Sequence, residues 1–574
     1  MSSSQLSPQA RIEALASLAA TTVEEPLDVL VVGGGVTGAG IALDAATRGL
    51  STGLVEQRDL ASGTSSRSSK LVHGGLRYLE MFDFGLVKEA LQERGLLLTR
   101  LAPHLVRPVP FLYPLRSTVE RPYVGAGLLL YDTMAALGHY DMGVPRHRHL
   151  FRKQIARIAP DLRTDELSGA IRYYDAQVDD ARLVVGLART AASHGAQVAT
   201  RTRVTGFLRD GDKVVGVRAV DLEADPDREF EIRARVVINA AGVWTDEIQE
   251  MAAAGRLHVR ASKGIHLVVP RDRIRSEAGF ITKTEKSVLF VIPWGHYWII
   301  GTTDTAWDLD KAHPAASRAD IDYLLEHVNT LLKDPLDRDD VAGVYAGLRP
   351  LLSGESDSTS KISREHTVSV PVPGLALIAG GKLTTYRVMA KDAIDAVVDH
   401  LDEFTQAPLR DCITDRVPLV GAPGFEARTN QRVMLSRRSG LPLAAIDHLL
   451  GRHGGQIDDL LAMVAARPEL GEPLVDAEDY LAVEVVHAVT HEGALHLDDV
   501  LARRTRISIE TFDRGTRVAR RAAELMADEL GWDDAAVDAE VDHWLRRVEA
   551  ERQSQEKLTD QEADEARVQA PEIV

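Results

Sequence analysis

A chain of 574 residues, 45% hydrophobic and 26% charged, has the make-up of a soluble globular protein with room for two to four domains. Its formal net charge of −18 argues against nucleic acid as the main partner, because phosphate backbones need a basic face. A single cysteine, Cys412, excludes an internal disulfide, a four-cysteine iron–sulfur site and a Cys-x-x-Cys pair, and fits a reducing compartment.

Residues 1–25 lack a basic stretch followed by an apolar one, so no secretory leader is expected. They read as a polar start and a short helix, Ala10 to Ala20, forming a loosely attached arm. Nowhere do 18 apolar residues run together, so no membrane-spanning helix is expected.

Leu27 to Gln57 is the most informative stretch. Val29 to Val32 is an apolar, β-branched run, the pattern of a strand buried on both faces. Gly33, Gly35 and Gly38 follow at G-x-G-x-x-G spacing, then a small-residue helix ending near Gly49. A second strand, Thr52 to Val55, delivers Glu56, eighteen residues after Gly38. The first glycine permits a tight turn, the second lets backbone approach a pyrophosphate, and the third lets helix and strand pack closely. The helix N-terminus favours phosphate, and Glu56 is placed to accept hydrogen bonds from an adenosine ribose. Glycine-rich turns are common, but all five parts in order predict dinucleotide binding.

Asp59 to Tyr78, DLASGTSSRSSKLVHGGLRY, is crowded with hydroxyl residues and glycines. Such clusters are usually surface loops. This one starts directly after the ribose-binding acid, so it is expected to run along the cofactor. Leu86 to Leu101 has helical periodicity, and prolines from Pro103 to Pro122 suggest extended segments leaving the first domain. Residues 146–163 are basic within an acidic protein, with His147, Arg148, Arg152, Lys153 and Arg157 between Leu150, Phe151, Ile155 and Ile158. That pattern fits a helix lying on an anionic membrane, or a solvated helix packed on its own domain, the plainer of the two.

Ala181 to His194 is helical by period, and Gln197 to Val220 reads as a hairpin turning at Asp210-Gly211-Asp212. Arg235 to Gly242, RVVINAAG, is another strand ending in small residues, suited to a dinucleotide or simply to a tight turn. Lys263 to Thr303 is β-rich and reads as an antiparallel sheet. From Val341 to Leu352 the pattern returns toward the first domain; Leu375 to Ile378 then leads through Ala379-Gly380-Gly381-Lys382 into a helix from about Thr384 to His400. The G-x-x-x-x-G-K-[ST] spacing of a P-loop is absent there. Beyond Asp402 helical segments recur (Val433 to His453, Ala477 to His491, Arg514 to Leu530, Ala535 to Arg552), and the apolar-poor residues 551–574 read as disordered.

Together VVGGGVTGAGIALDAATRG, SSRSSKLVHGGLRYLE, DDARLV, KGIHLVVP, VIPWGHYWIIGTTD, GLRPLL and GGKLTTYR resemble the FAD-dependent glycerol-3-phosphate dehydrogenases, in that family's order from Asp28 to Asp392. HGGLRYLE and GGKLTTYR are the specific strings. The resemblance implies an α/β flavoprotein of the two-dinucleotide-binding-domain kind, with a Rossmann-like FAD domain, an antiparallel β-rich substrate domain over the isoalloxazine and a C-terminal all-helical domain. The division it implies is an arm (1–25), FAD-binding segments 26–105, 176–262 and 343–401, substrate or cap segments 106–175 and 263–342, a helical domain 402–550 and a tail 551–574.

In that frame Gly33, Gly35, Gly38 and Glu56 hold the ADP half of FAD, and Thr64, Ser65, Ser69 and Lys70 line the cofactor's middle. Ala240, Gly242 and Asp304 join the cofactor set, with Gly380, Gly381, Lys382, Leu383 and Thr384 facing the flavin. The implied reaction is oxidation of sn-glycerol 3-phosphate to dihydroxyacetone phosphate. A substrate phosphate needs guanidinium or ammonium donors. Arg77, Arg349, Arg364 and Lys382 match the family's basic positions, with Tyr78 and Thr384 as hydroxyl partners. As hydride leaves C2 for flavin N5, the C2 hydroxyl loses a proton, and a histidine suits its acceptor. His266 and His73 are the candidates, His266 preferred. No metal is expected.

The family's usual electron acceptor is a quinone, which would attach the protein peripherally to the inner face of the cell membrane from the cytoplasm; the basic 146–163 stretch is the internal support. An oxidase using oxygen, an amine- or amino-acid-oxidising flavoenzyme and a flavin protein without catalysis are the alternatives, the second disfavoured by the family strings and the third by intact candidate residues at every phosphate position. The helical domain could mediate a homodimer.

Overall fold

The computed structural model describes residues 3–75, 83–136, 143–252, 257–283, 288–352, 366–402 and 409–570. Leu27–Val32 lies at the centre of an eight-stranded sheet, between Thr52–Val55 on one side and Asp225–Asn239 on the other, with Gln197–Ala199 and Leu375–Gly380 beyond them. These five strands run parallel, with Val32 opposite both Val55 and Asn239. The chain therefore leaves the central strand where neighbouring crossovers diverge, the position at which open α/β sheets bind ligands. Both faces of that strand are buried. Val29 and Val31 pack under the helices Val36–Arg48, Asp180–Ser193 and Tyr386–Asp395, while Leu30 and Val32 join Val217, Ile232 and Leu377 on the other side. This double burial is why the segment is apolar without alternation.

A ten-stranded sheet forms the second layer. Its long strand Val259–Pro270 pairs antiparallel with both Tyr297–Gly301 and Gly343–Leu352. Gly343–Leu352, expected with the FAD-binding segments, is thus a strand of the cap sheet. So is Leu71–Val72, at the sheet's edge against Gly169–Gln177.

Three other expectations change. The prolines after 103 do not keep the chain extended: Arg107–Leu115 is a strand, but Glu120–Ala136 is a helix burying Leu128, Tyr131 and Ala135. Pro122 falls in that helix's first turn, where a missing N–H costs nothing. The N-terminal arm is not loose. Helix Pro8–Ala19 buries Ala14 and Leu18, the Leu6 N–H donates to the His491 carbonyl at 3.0 Å, and Arg11 pairs with Asp221. The tail is ordered through residue 570. Helix Asp534–Glu556 runs past 550, and Asp560–Arg567 follows with a Thr559–Glu562 capping box and a buried Ala563. Its hold is ionic, through Lys263 to Asp560 at 2.6 Å and Arg567 to Glu551 at 3.2 Å, which apolar content cannot reveal.

The basic 146–163 stretch resolves into a three-residue strand, Arg148–Leu150, and a seven-residue helix, Arg152–Ile158, whose Ile155 and Ile158 are buried in their own domain. Among the described residues no helix is long and apolar enough to cross a membrane. The C-terminal helices close a core around Ile446, Leu460, Val486, Leu501, Met526 and Trp544, interrupted by a two-stranded ribbon, Pro473–Leu474 with Ala477–Leu481. The expected helix at Ala477 accordingly begins at Ala482.

Candidate active site

The turn after the central strand opens a cleft. Gly33 takes φ +114, and a Cβ there would meet the Ala240 carbonyl oxygen at 2.7 Å. A Cβ at Gly38 would lie 1.9 Å from the Gly33 carbonyl oxygen, so only glycine lets the helix sit this close to the strand. Gly35 differs: its Cβ would meet only Ser65 Oγ, at 3.3 Å. Helix Val36–Arg48 starts at Gly35 without a side-chain cap, and Ser65 Oγ accepts the Val36 N–H at 3.0 Å.

Gly33, Gly35, Glu56, Thr64, Ser65, Ala240, Gly242 and Gly380 to Leu383 all line this cleft, as expected. Glu56 accepts the Gly34 N–H at 2.6 Å on one oxygen and the Arg58 N–H at 2.8 Å on the other. Burial pushes its carboxyl above the ordinary range, against those two amides. Thr37, Arg58, Val204 and Trp244 line the cleft too. They carry no motif of their own, although Arg58 and Trp244 stack, with 5.2 Å between guanidinium and ring. Gly380 and Gly381 are both left-handed, at φ +80 and +81, which turns the chain sharply into the Leu383–Thr385 helical turn.

Ser69, Lys70, Asp304 and Thr384 do not line the cleft. Lys70 is fully buried, its ammonium 2.8 Å from Asp180 and 3.1 Å from the Ser66 carbonyl oxygen, and it braces the segment from behind. Thr384 is buried and accepts the His73 N–H at 3.1 Å, tying the two family strings together. Ser69 and Asp304 belong to a neighbouring cluster of polar side chains.

That cluster is built on the cap sheet. Pairing of Ser262 with Arg349 and of His266 with Tyr345 puts Ser262, Gly264 and His266 on the same face as Arg349, Gly347 and Tyr345. His266 stacks on Tyr345, centroids 4.7 Å apart and planes at 12°, and its Nε2 lies 2.8 Å from Ser69 Oγ. Its Nδ1 is buried without a hydrogen-bond partner among the described residues. Burial, then Arg349 and Lys70, hold the imidazole well below the ordinary histidine range. The Arg349 guanidinium donates to Thr302 Oγ1 at 3.0 Å and to the Thr303 carbonyl at 3.1 Å, with Asp304 at 3.6 Å. A Cβ at Gly264 would sit 2.5 Å from that guanidinium. The absent side chain is therefore what admits Arg349 to this face. Thr64 Oγ1, in the cleft lining, donates to the Leu348 carbonyl at 2.6 Å, next to Arg349, so cluster and cleft adjoin.

His73 lies edge-on to Phe290 at 6.5 Å, on the other side of Thr384. Arg77, Tyr78 and Arg364 lie outside the described residues. Tyr345 and Thr302 were missed; the strand alternation that places Tyr345 two positions from Gly347 and four from Arg349 was the available signal.

A family model described as FAD dependent oxidoreductase matches residues 28–395, and one described as the C-terminal domain of alpha-glycerophosphate oxidase matches 412–537. Glycerol-3-phosphate dehydrogenase 2 of Mycobacterium tuberculosis is 56% identical over 96% of this chain and 92% of its own length. The chain belongs to the FAD-dependent glycerol-3-phosphate dehydrogenases. A mitochondrial relative from Arabidopsis thaliana, glycerol-3-phosphate dehydrogenase SDP6, is 36% identical over 92% of this chain and 86% of its own. The solved glycerol-3-phosphate dehydrogenase from Bacillus halodurans, complexed with FAD, superposes with a TM-score of 0.75 at 30% identity, covering 95% of this chain and 98% of that one. FAD is the cofactor of this family member, and the cleft fits it: a glycine opening where a pyrophosphate needs backbone, an uncapped helix N-terminus and a carboxylate at the end of the second strand.

Proposed function

We propose that this protein oxidises sn-glycerol 3-phosphate to dihydroxyacetone phosphate and passes the electrons to a quinone. The reading is carried by the shared face of Val259–Pro270 and Gly343–Leu352, which offers a guanidinium over Gly264 and an imidazole two residues further on. Two residues are roughly 7 Å of strand, the reach of a three-carbon phosphate gripped at one end. Arg349 binds the phosphate by paired charge-assisted hydrogen bonds. FAD supplies the acceptor for the hydride that leaves C2. His266 takes the proton of the C2 hydroxyl, its ring held by Ser69 and Tyr345. Burial and then Arg349 keep His266 a weak base. The substrate dianion cancels that charge and raises the basicity of the imidazole only when there is a proton to accept.

A quinone acceptor calls for a membrane surface, and we place the protein peripherally on the inner face of the cell membrane. Support comes from the helix Glu120–Ala136, where Tyr123, Leu129 and Leu130 are exposed beside Phe151, itself 66% exposed, and beside the basic Arg148, Arg152 and Lys153. The match of residues 412–537 to a domain described from an oxidase favours, as a second reading, oxygen as acceptor.

The test is an anaerobic absorbance spectrum before and after glycerol 3-phosphate, followed by a soluble quinone and then oxygen. Bleaching followed by recovery with quinone is expected, and recovery with oxygen alone selects the oxidase. Arg349→Ala should keep its FAD and lose about a hundredfold or more in kcat/KM, as two charged hydrogen bonds at about 1.5–3 kcal/mol each imply. Normal turnover by that variant overturns the phosphate assignment.

A further inference from the structure

Beside the FAD cleft, where the C-terminal helices meet segment 62–67, two adjoining cavities of about 70 and 30 Å³ draw most of their charged lining from arginine. Arg67, Arg503, Arg547 and Arg567 line both. The larger adds Arg506 and one carboxylate, Glu551; the smaller adds Arg58, Arg201 and one carboxylate, Asp498.

Some of these cations are matched from behind. Arg503 pairs with Asp59, Asp498 and Asp499, and Arg506 with Asp179 and Asp180. The others are not. Arg547 and Arg567 share Glu551, at 3.3 and 3.2 Å, and Arg547 also meets Asp498. Arg67 meets no carboxylate among the described residues. Its one hydrogen bond there runs to the Ala312 carbonyl, at 2.9 Å. Three guanidiniums therefore face two carboxylates inside a protein whose net charge is −18. Enclosed charge without a counter-ion is costly, and the low-dielectric surroundings raise that cost. Burial, with Arg547, Arg567 and Arg503 alongside, pulls Arg67 down to about 9, and burial, then Arg567, Arg547 and Arg67, holds His313 well below its ordinary range.

We propose that this cavity is a binding site for a small phosphate-type oxyanion, held between Arg67, Arg547 and Arg567. Planar guanidiniums converging on one point match the oxygens of such an ion. At about 10–15 Å³ per water, the larger cavity holds roughly five waters, which is room for one such ion and excludes a nucleotide. The site adjoins the flavin cleft, with Arg58 and Ser62 in the wall between them, and faces the other way. Ser65 turns to the cleft, at the Val36 N–H, while Arg67 two residues on turns to Ala312 on the other side. Anion binding would clamp the C-terminal helices that carry Arg547 and Arg567 onto the segment whose opposite side carries Thr64 and Ser65.

The test uses FAD-loaded, full-length protein in the Arg349→Ala background, where the substrate-phosphate grip is gone. Calorimetric titration with inorganic phosphate at constant ionic strength should show one saturable event, accompanied by a rise in Tm. Adding Arg67→Gln or, separately, Arg567→Gln should weaken that event at least tenfold with FAD content unchanged. Absence of the event, an event indifferent to both substitutions, or a Tm rise reproduced by chloride overturns the proposal. Should one substitution prevent folding, the other decides. Glycerol 3-phosphate turnover in Arg67→Gln alone reports separately on the substrate reading.

Discussion

The FAD cleft and the seam between the FAD-binding sheet and the C-terminal helices solve different problems by opposite means. The cleft is largely a backbone surface: Gly33, Gly35, Ala240, Gly242, Gly380 and Gly381 leave main chain bare, and hydroxyls of Thr64 and Ser65 finish it. The seam is made of buried charge. Asp59 receives hydrogen bonds at 2.5–2.6 Å from Arg503 and Arg504, Arg182 grips Glu492 with two at 2.6 and 2.9 Å, and Arg506 reaches both Asp179 and Asp180. A ligand surface gains from having no side chains in the way, whereas a permanent junction between domains can order long side chains and hold each charge against its partner. Paired in this way, the charges contribute specificity of docking, and removing one partner is worse than replacing both.

The comparison predicts how each region breaks. Gly38→Val should give the largest effect, because the new side chain must displace the Gly33 carbonyl from 1.9 Å; we expect no FAD-loaded protein, measured as flavin absorbance per chain after purification. Asp59→Asn should cost about 3–5 kcal/mol, seen as a lower urea midpoint, since Arg504 is left buried without a carboxylate. Turnover per bound flavin should survive at native conditions, and loss of flavin before loss of the helical domain would contradict the division drawn here. Gly35→Val should be milder for the fold, since only Ser65 Oγ stands near, yet it fills the cleft; about 1–3 kcal/mol of overpacking predicts FAD affinity ten- to hundredfold weaker with the midpoint retained.

The last effect is graded with pH. Burial holds His104, near Arg182 and His453, down to about 3, and burial also holds His487, beside Glu492, well below the ordinary range. In the unfolded chain both take a proton near pH 6.5, and in the folded one they do not. Their contribution to stability is therefore complete above that pH and declines below it, by up to about 1.4 kcal/mol per pH unit for each. Limited proteolysis between pH 6.5 and 5 should accordingly cut within residues 409–570 before flavin fluorescence rises; release of flavin first would reverse the ranking of the two regions.

The candidate site was legible in proportion to how local it is. Gly33, Gly35, Gly38 and Glu56 act through turns and strand ends a few residues long, so their spacing announces them. His266 and Arg349 could be chosen for their chemistry and motif, but that they share a face follows from the register of two strands, Ser262 against Arg349 and His266 against Tyr345. Tyr345, lying under His266, gives no signal until those strands are paired. Lys70 misled, because a cation in a hydroxyl-rich loop next to a cofactor motif looks like a ligand, and its partner Asp180 is 110 residues away. The tail misled for the same reason: its apolar content is low, and the ion pairs that order it join it to Lys263 and Glu551.

By itself, then, the sequence determined the strand–glycine–helix turn, the parallel core, the family and the chemistry on offer. These rest on backbone conformation and on burial periodicity, which are properties of neighbouring residues. The tertiary structure alone decided which charges meet. Asp59 and Arg504 stand 445 positions apart, and the sequence holds 67 basic and 85 acidic residues that could pair in any number of ways. Only the folded backbone brings particular ones within hydrogen-bonding distance, leaving Arg67, Arg547 and Arg567 together with too few partners.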